Sequence, residues 1–158
     1  MQETKISLEG APAASNDASE APVILRSLLL SMKSCFDMVA DTGESHEITP
    51  DEWLILDALR KHDGMTMSQL RQNTLSAGSS LTRAVDRMVS RSLVFREVGQ
   101  ADRRQVFVHI SDLGRSYHDA MNGDLLILEQ AIRDQFSNED IAPHTFQALL
   151  EGIASLKH

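Results

Sequence analysis

The stretch that decides the fold runs from Thr66 to Ile110: TMSQLRQNTLSAGSSLTRAVDRMVSRSLVFREVGQADRRQVFVHI. Thr66-Met67-Ser68-Gln69 has the hydroxyl-x-x-Gln form of a capping box, which predicts a short helix through about Asn73. A second helix is expected from Ser76, with Leu81, Val85 and Met88 as its inward stripe. The period then drops from helical to two. Leu93–Glu97 and Gln105–Ile110 are alternating and β-branched, hence strands, and Gly99–Arg104 is the loop of their hairpin. Helix, short turn, helix and a basic-tipped hairpin in immediate succession make a winged helix.

Working outward, Thr49-Pro50-Asp51-Glu52 predicts another helix start, with Thr49 as N-cap, Pro50 in the first turn and Glu52 closing a capping box. Trp53, Leu56 and Leu59 are its expected buried face, and Gly64 its end. Upstream, Leu25, Leu28, Leu29, Met32, Phe36 and Val39 fall at helical spacing, with Val23, Ile24 and Leu30 off that stripe. Such a helix is buried on more than one side, in its own core or against a partner chain. Asp41–Glu47 reads as a polar connector. Downstream, Ser111 or Asp112 caps a long helix whose apolar face is Leu113, Tyr117, Met121, Leu125, Leu128, Ile132 and Phe136. A last helix from about Asn138 carries Ile141, Phe146, Leu149, Leu150, Ile153 and Leu156. Residues 1–21 are poor in large apolar side chains and read as a flexible leader. The expected architecture is mainly α, about six helices plus one β-hairpin wing, in a single domain over 22–158. Within it, 48–111 is the DNA-binding module, and 22–47 and 112–158 are helical dimerisation arms.

Charge first argues against nucleic acid, because the 158-residue chain carries −8. The charge is uneven, however. From Arg60 to Ile110 there are nine basic residues against four acids, a net +5 that leaves −13 for the remainder. If Leu81, Val85 and Met88 face inward, Ser79, Arg83, Asp86 and Ser90 face outward, flanked by Ser80, Thr82 and Arg87. Small hydroxyls near the helix start permit close approach to the major-groove floor, and Arg83 can fork onto guanine or grip a phosphate. A solvated helix also presents such a face. The wing adds independent weight, since Arg103 and Arg104 at a loop tip suit a narrow minor groove. Asp102 reads as the partner that orients Arg104.

Leu81–Met88, Leu93-Val94 and Asp102–Gly114 together resemble the MarR (multiple antibiotic resistance regulator) family, over roughly Val23–Leu156. Asp102, Arg104 and Gly114 match its wing pattern; Ile110-Ser111 replaces Leu-Thr. Ser92 stands where the family usually has glycine. The single cysteine fits a reduced, cytoplasmic setting. The resemblance implies a homodimer whose first and last helices interlock, with each recognition helix and wing on one half of a palindromic operator in double-stranded DNA. It also implies a ligand-responsive repressor, with a small aromatic effector in a pocket lined by the first helix, the second helix around Trp53 and the start of the long helix. A winged-helix protein-interaction module that has lost DNA binding is the alternative reading.

Other chemistries find little purchase. One cysteine excludes an intramolecular disulfide and any site needing two thiolates. Cys35, mid-helix, is expected to be a buried structural thiol rather than an oxidant sensor. The six histidines contain no i,i+4 pair, and His46 beside Glu47 and Asp51 is the nearest approach to a ligand cluster. No metal, cofactor or membrane span is expected. Neither a nucleophile elbow nor a phosphate-binding glycine loop occurs, so the chain does not read as an enzyme.

Overall fold

The computed structural model describes residues 22–62, 64–75, 78–99, 103–138 and 142–155. The chain divides into two compact units, 1–35 and 36–158. The elements run α1 (Val23–Glu44), α2 (Pro50–Lys61), β1 (Met65–Thr66), α3 (Met67–Gln72), α4 (Ser79–Ser90), β2 (Val94–Val98), β3 (Val106–Ile110), α5 (Asp112–Asn138) and α6 (Pro143–Ser155). This is the expected winged helix, with six helices among the described residues.

Two capping boxes start helices where the sequence places them. The Thr49 hydroxyl accepts from the Glu52 N–H at 3.3 Å, and the Glu52 carboxylate accepts from the Thr49 N–H at 3.1 Å. Thr66 and Gln69 repeat the exchange at 3.3 and 2.8 Å. Ser111 performs the same task for α5, its hydroxyl accepting from the Gly114 N–H at 2.9 Å. Each box satisfies amide donors that the first helical turn leaves unpaired.

The sheet holds one more strand than the hairpin alone. Its order is β1-β3-β2, with Met65 opposite Val108, and Val94 opposite Ile110 through Val98 opposite Val106, all antiparallel. The two-residue β1 escapes periodicity because its second residue is also the cap of α3. The core gathers Ile55, Leu56 and Leu59 of α2, Leu70 of α3, Leu81, Val85 and Met88 of α4, Leu93, Val94, Val108 and Ile110 around the wing, and Met121 and Leu125 of α5. Each such side chain fully buried contributes roughly 1.5–3 kcal/mol. This core packs around the inner side of α4, which leaves that helix one free face.

Several expectations are corrected. Asp41–Glu44 is helix rather than connector. The helix expected from Ser76 begins at Ser79, after Gly78 in a left-handed conformation (φ 54°) with no side-chain cap; Ser76 itself lies outside the described residues. Ile55, absent from the expected stripe, is fully buried, whereas Trp53 is half-buried and Leu113 is exposed. Cys35 is exposed rather than buried, because it lies among α1 positions that the chain leaves open to solvent. The leader 1–21, Ile141 and Leu156 lie outside the described residues, as does the Phe136 side chain.

Ser92 adopts φ 59°, the left-handed conformation for which glycine is suited. The chain turns there from α4 into the wing, and the bonds Ser92 N–H to Val89 O and Leu93 N–H to Met88 O, both 2.9 Å, close the helix end. A positive φ is thus required by the turn whichever residue occupies it.

Candidate nucleic-acid interface

Helix α4 has its apolar side chains on one face, with Leu81, Ala84, Val85 and Met88 all buried. Their opposites Ser79, Ser80, Thr82, Arg83, Asp86, Arg87 and Ser90 are all exposed. The sequence-derived set therefore shares one exposed side of α4. Its members are not equivalent. Arg83 has no ion pair among the described residues. The Thr82 hydroxyl donates back to the Gly78 carbonyl at 3.5 Å. Asp86 is bound by Arg96 of β2 at 2.7 Å, an ion pair that ties α4 to the wing and offsets the one carboxylate on this face.

Arg87 is engaged on its inner side. Its Nε donates to Glu52 at 3.4 Å, with the arginine side chain 57% exposed and the glutamate 3%. The sequence alone gives Glu52 only a capping role. A buried carboxylate needs compensation by cations and hydrogen bonds, and Glu52 has both Arg87 and Arg91. Arg91 also donates to the Glu47 carbonyl at 2.7 Å and lies 5.9 Å from the Tyr117 ring centroid. The signal that could have found this pair is its spacing, two arginines four residues apart on one helical side.

In the wing, Arg103 and Arg104 are both exposed, next to a hairpin closed by the Gly99 N–H on the Gln105 carbonyl at 2.9 Å. Asp102, the expected orienting partner of Arg104, lies outside the described residues.

A cleft of about 460 Å³ opens beside this module, lined by Ser45, His46 and Glu47 after α1 and by Ser116, Tyr117 and Ala120 of α5. The start of the long helix forms one wall. Its other wall is the segment preceding α2, and Trp53 is not in the lining. His46 is bound by Asp124 at 2.8 Å. His118, buried on α5, faces Asp57 at 3.4 Å and Asp119 at 3.1 Å, and Arg60 faces Asp119 at 3.6 Å. The His118 hydrogen bond, the largest effect, holds the Asp119 carboxyl below its ordinary value; desolvation opposes it, and the Arg60 charge adds to the lowering. Among the described residues no group of three or more His, Cys, Asp or Glu is placed to hold a metal, and no helix is long and apolar enough to cross a membrane.

Residues 46–105 match the sequence profile of the MarR family. That segment contains α2, β1, α3, α4 and β2, so the resemblance is borne out over the recognition helix and the first strand of the wing. An uncharacterized HTH-type transcriptional regulator, YkoM of Bacillus subtilis (strain 168), is 22% identical over 103 residues, covering 65% of this chain and 67% of that protein. Solved structures share the fold, NadR and CouR among them. NadR, solved in complex with 4-hydroxyphenylacetate, has 20% identity and TM-score 0.72, covering 92% of this chain and 97% of its own. The transcriptional repressor CouR, bound to a 23-mer DNA duplex, has 17% identity and TM-score 0.71, covering 94% of this chain and 100% of its own. The matched proteins are transcriptional regulators, not enzymes.

Proposed function

We propose that this chain, whose residues 46–105 match the MarR family profile, is a homodimeric, sequence-specific transcriptional regulator that represses by occupying a palindromic operator. The observation that carries the reading is the outward face of α4. Ser79, Ser80, Thr82, Arg83 and Arg87 are exposed on it together while every large apolar residue of the helix's inward stripe is buried. In this role the hydroxyls and Arg83 read the major groove, Arg87 meets a phosphate, and Arg103 and Arg104 enter the minor groove, with Asp102 as the partner of Arg104. The fold shared with CouR, a repressor bound to a 23-mer DNA duplex, supports duplex DNA as the partner of this chain.

Apolar surface that one chain leaves uncovered supports dimerisation. Val23, Ile24, Leu25, Leu29, Leu30 and Met32 of α1 are all at least half exposed. So are Leu126 and Ile127 of α5 and Leu149 of α6. A second copy covers these arms, residues 22–47 and 112–158, and a two-fold protein fits a two-fold site. The winged helix over 48–111 is the part that meets DNA.

A small aromatic effector in the cleft beside Tyr117 completes the reading, supported by the hydroxyaryl acid in NadR. Its binding changes the spacing of the two recognition helices and releases the operator. A cytoplasmic location suits this work. Selection of bound duplexes from genomic fragments tests the proposal: enrichment of one palindromic sequence is expected, and recovery of unenriched DNA would refute it. Sedimentation at micromolar concentration is expected to give a dimer; a folded monomer would remove the two-fold docking.

A further inference from the structure

One buried carboxylate serves two arginines at the recognition helix, and only one of these arginines also contacts residues that line the cleft. Glu52 is 2% exposed. Its Oε1 accepts from Arg87 Nε at 3.4 Å, and its Oε2 lies 3.6 Å from Arg91 Nη1 while accepting the Thr49 N–H at 3.1 Å. Arg91 reaches two residues of the cleft wall, the Glu47 carbonyl at 2.7 Å and the Tyr117 ring at 5.9 Å. Glu47 itself is held at φ 54°, so the segment Arg91 grips is a strained one.

A buried anion attracts each neighbouring cation more strongly when it has fewer of them. With Arg91 in place the charge of Glu52 is shared, and Arg87 is held only in part. With Arg91 drawn away, Glu52 holds Arg87 alone, and DNA phosphates must compete for that guanidinium.

We propose that Arg91 and Arg87 compete for the single carboxylate of Glu52, and that the contents of the cleft reach the recognition helix through Arg91. An anionic occupant of the cleft draws Arg91 from Glu52, Glu52 tightens on Arg87, and the grip on DNA falls. The inference rests on the DNA-binding reading above and assigns its regulation to three residues.

The test is the salt dependence of binding to a fluorescein-labelled 30-base-pair duplex of random sequence, read by anisotropy. Removing one arginine from its phosphate lowers the slope of log affinity against log salt by about 0.9, so about 1.8 is expected for a two-fold dimer carrying Arg91→Gln. Adding Glu52→Gln is expected to restore the wild-type slope, because no carboxylate is left to hold Arg87. Glutamine at 52 keeps the capping acceptor, and thermal melts of each variant verify folding. An unchanged slope in Arg91→Gln, or a reduced slope that persists in the double variant, would overturn the coupling. The second outcome would make Arg91 a phosphate ligand in its own right.

The cleft is tested in a Cys35→Ala background carrying Ser116→Cys. Modification with anionic 2-sulfonatoethyl methanethiosulfonate is expected to lower the slope relative to neutral methyl methanethiosulfonate, and to have no such effect once Glu52→Gln is added. Equal binding of the two adducts, or an anionic effect indifferent to Glu52, overturns the link to the cleft. Wild-type protein that binds neither this duplex nor any selected genomic fragment refutes the DNA-binding reading; wild-type binding with unresponsive variants refutes only the coupling.

Discussion

Gly114→Ala offers a sharp test of how the wing is seated on the long helix. A methyl group built at Gly114 falls far inside contact distance of the Leu93 carbonyl oxygen, and 3.0 Å from both the Leu93 carbonyl carbon and Ile110 Cγ1. The neighbour is backbone, so no side-chain rotation relieves the clash. That same oxygen accepts from the Ser111 N–H at 3.0 Å and the Ser111 hydroxyl at 2.9 Å, so moving it weakens the bonds that start α5. Overpacking costs about 1–3 kcal/mol and a weakened hydrogen bond about 1 kcal/mol. Alanine's better helix propensity returns at most about 1 kcal/mol. The expected net loss is about 2 kcal/mol, a fall in Tm of about 4–8 °C for a chain of this size. Thermal unfolding by circular dichroism at one fixed protomer concentration measures it. Gly123→Ala, also in α5 but with open space where the methyl would go, is the control and is expected to stabilise by up to about 1 kcal/mol. A Gly114→Ala variant as stable as wild type would refute the close approach of α5 to Leu93.

Ser92→Gly should raise the urea midpoint by about 0.5–1 kcal/mol equivalent, because relief of a left-handed conformation (about 1–2 kcal/mol) exceeds glycine's extra freedom in the unfolded chain (about 0.5–1 kcal/mol). A lower midpoint would contradict the assigned turn. Arg104→Ala and Arg83→Ala should each weaken binding to the selected duplex by about 1–3 kcal/mol, measured by titration at fixed salt; unchanged affinity would remove that residue from the interface. Asp119 has a depressed folded-state pKa, so its contribution to stability is present above the ordinary aspartate range and is lost as pH falls through and below it. The Tm gap between wild type and Asp119→Asn should therefore be open at neutral pH and close in acid. A gap that widens in acid would reverse the assigned sign.

The local grammar of the chain was legible. Thr49-Pro50-Asp51-Glu52 and Thr66–Gln69 start helices through bonds spanning three residues, so sequence neighbours alone determine them. The inward triad Leu81, Val85, Met88 and the alternating strands of the wing follow from backbone period, and with them the outward hydroxyl and arginine face. The charge asymmetry was equally readable, because it is a count along the chain.

Other features had no local signature. The exposure of Cys35 and of much of the α1 stripe depends on what lies beside the helix, which its own period does not specify. Strand β1 exists because Met65 meets Val108 across the fold. Glu52 looked like a cap, and its burial against Arg87 is set by a contact 35 residues away. His118 with Asp57 and His46 with Asp124 are brought together across 61 and 78 residues. By itself, then, the sequence determined where each element begins and which side of it is apolar, since those depend on bonds and periods spanning a few residues. Only the tertiary structure decided which charges meet, because burying the apolar faces against one another fixes the partners of every polar group at their edges.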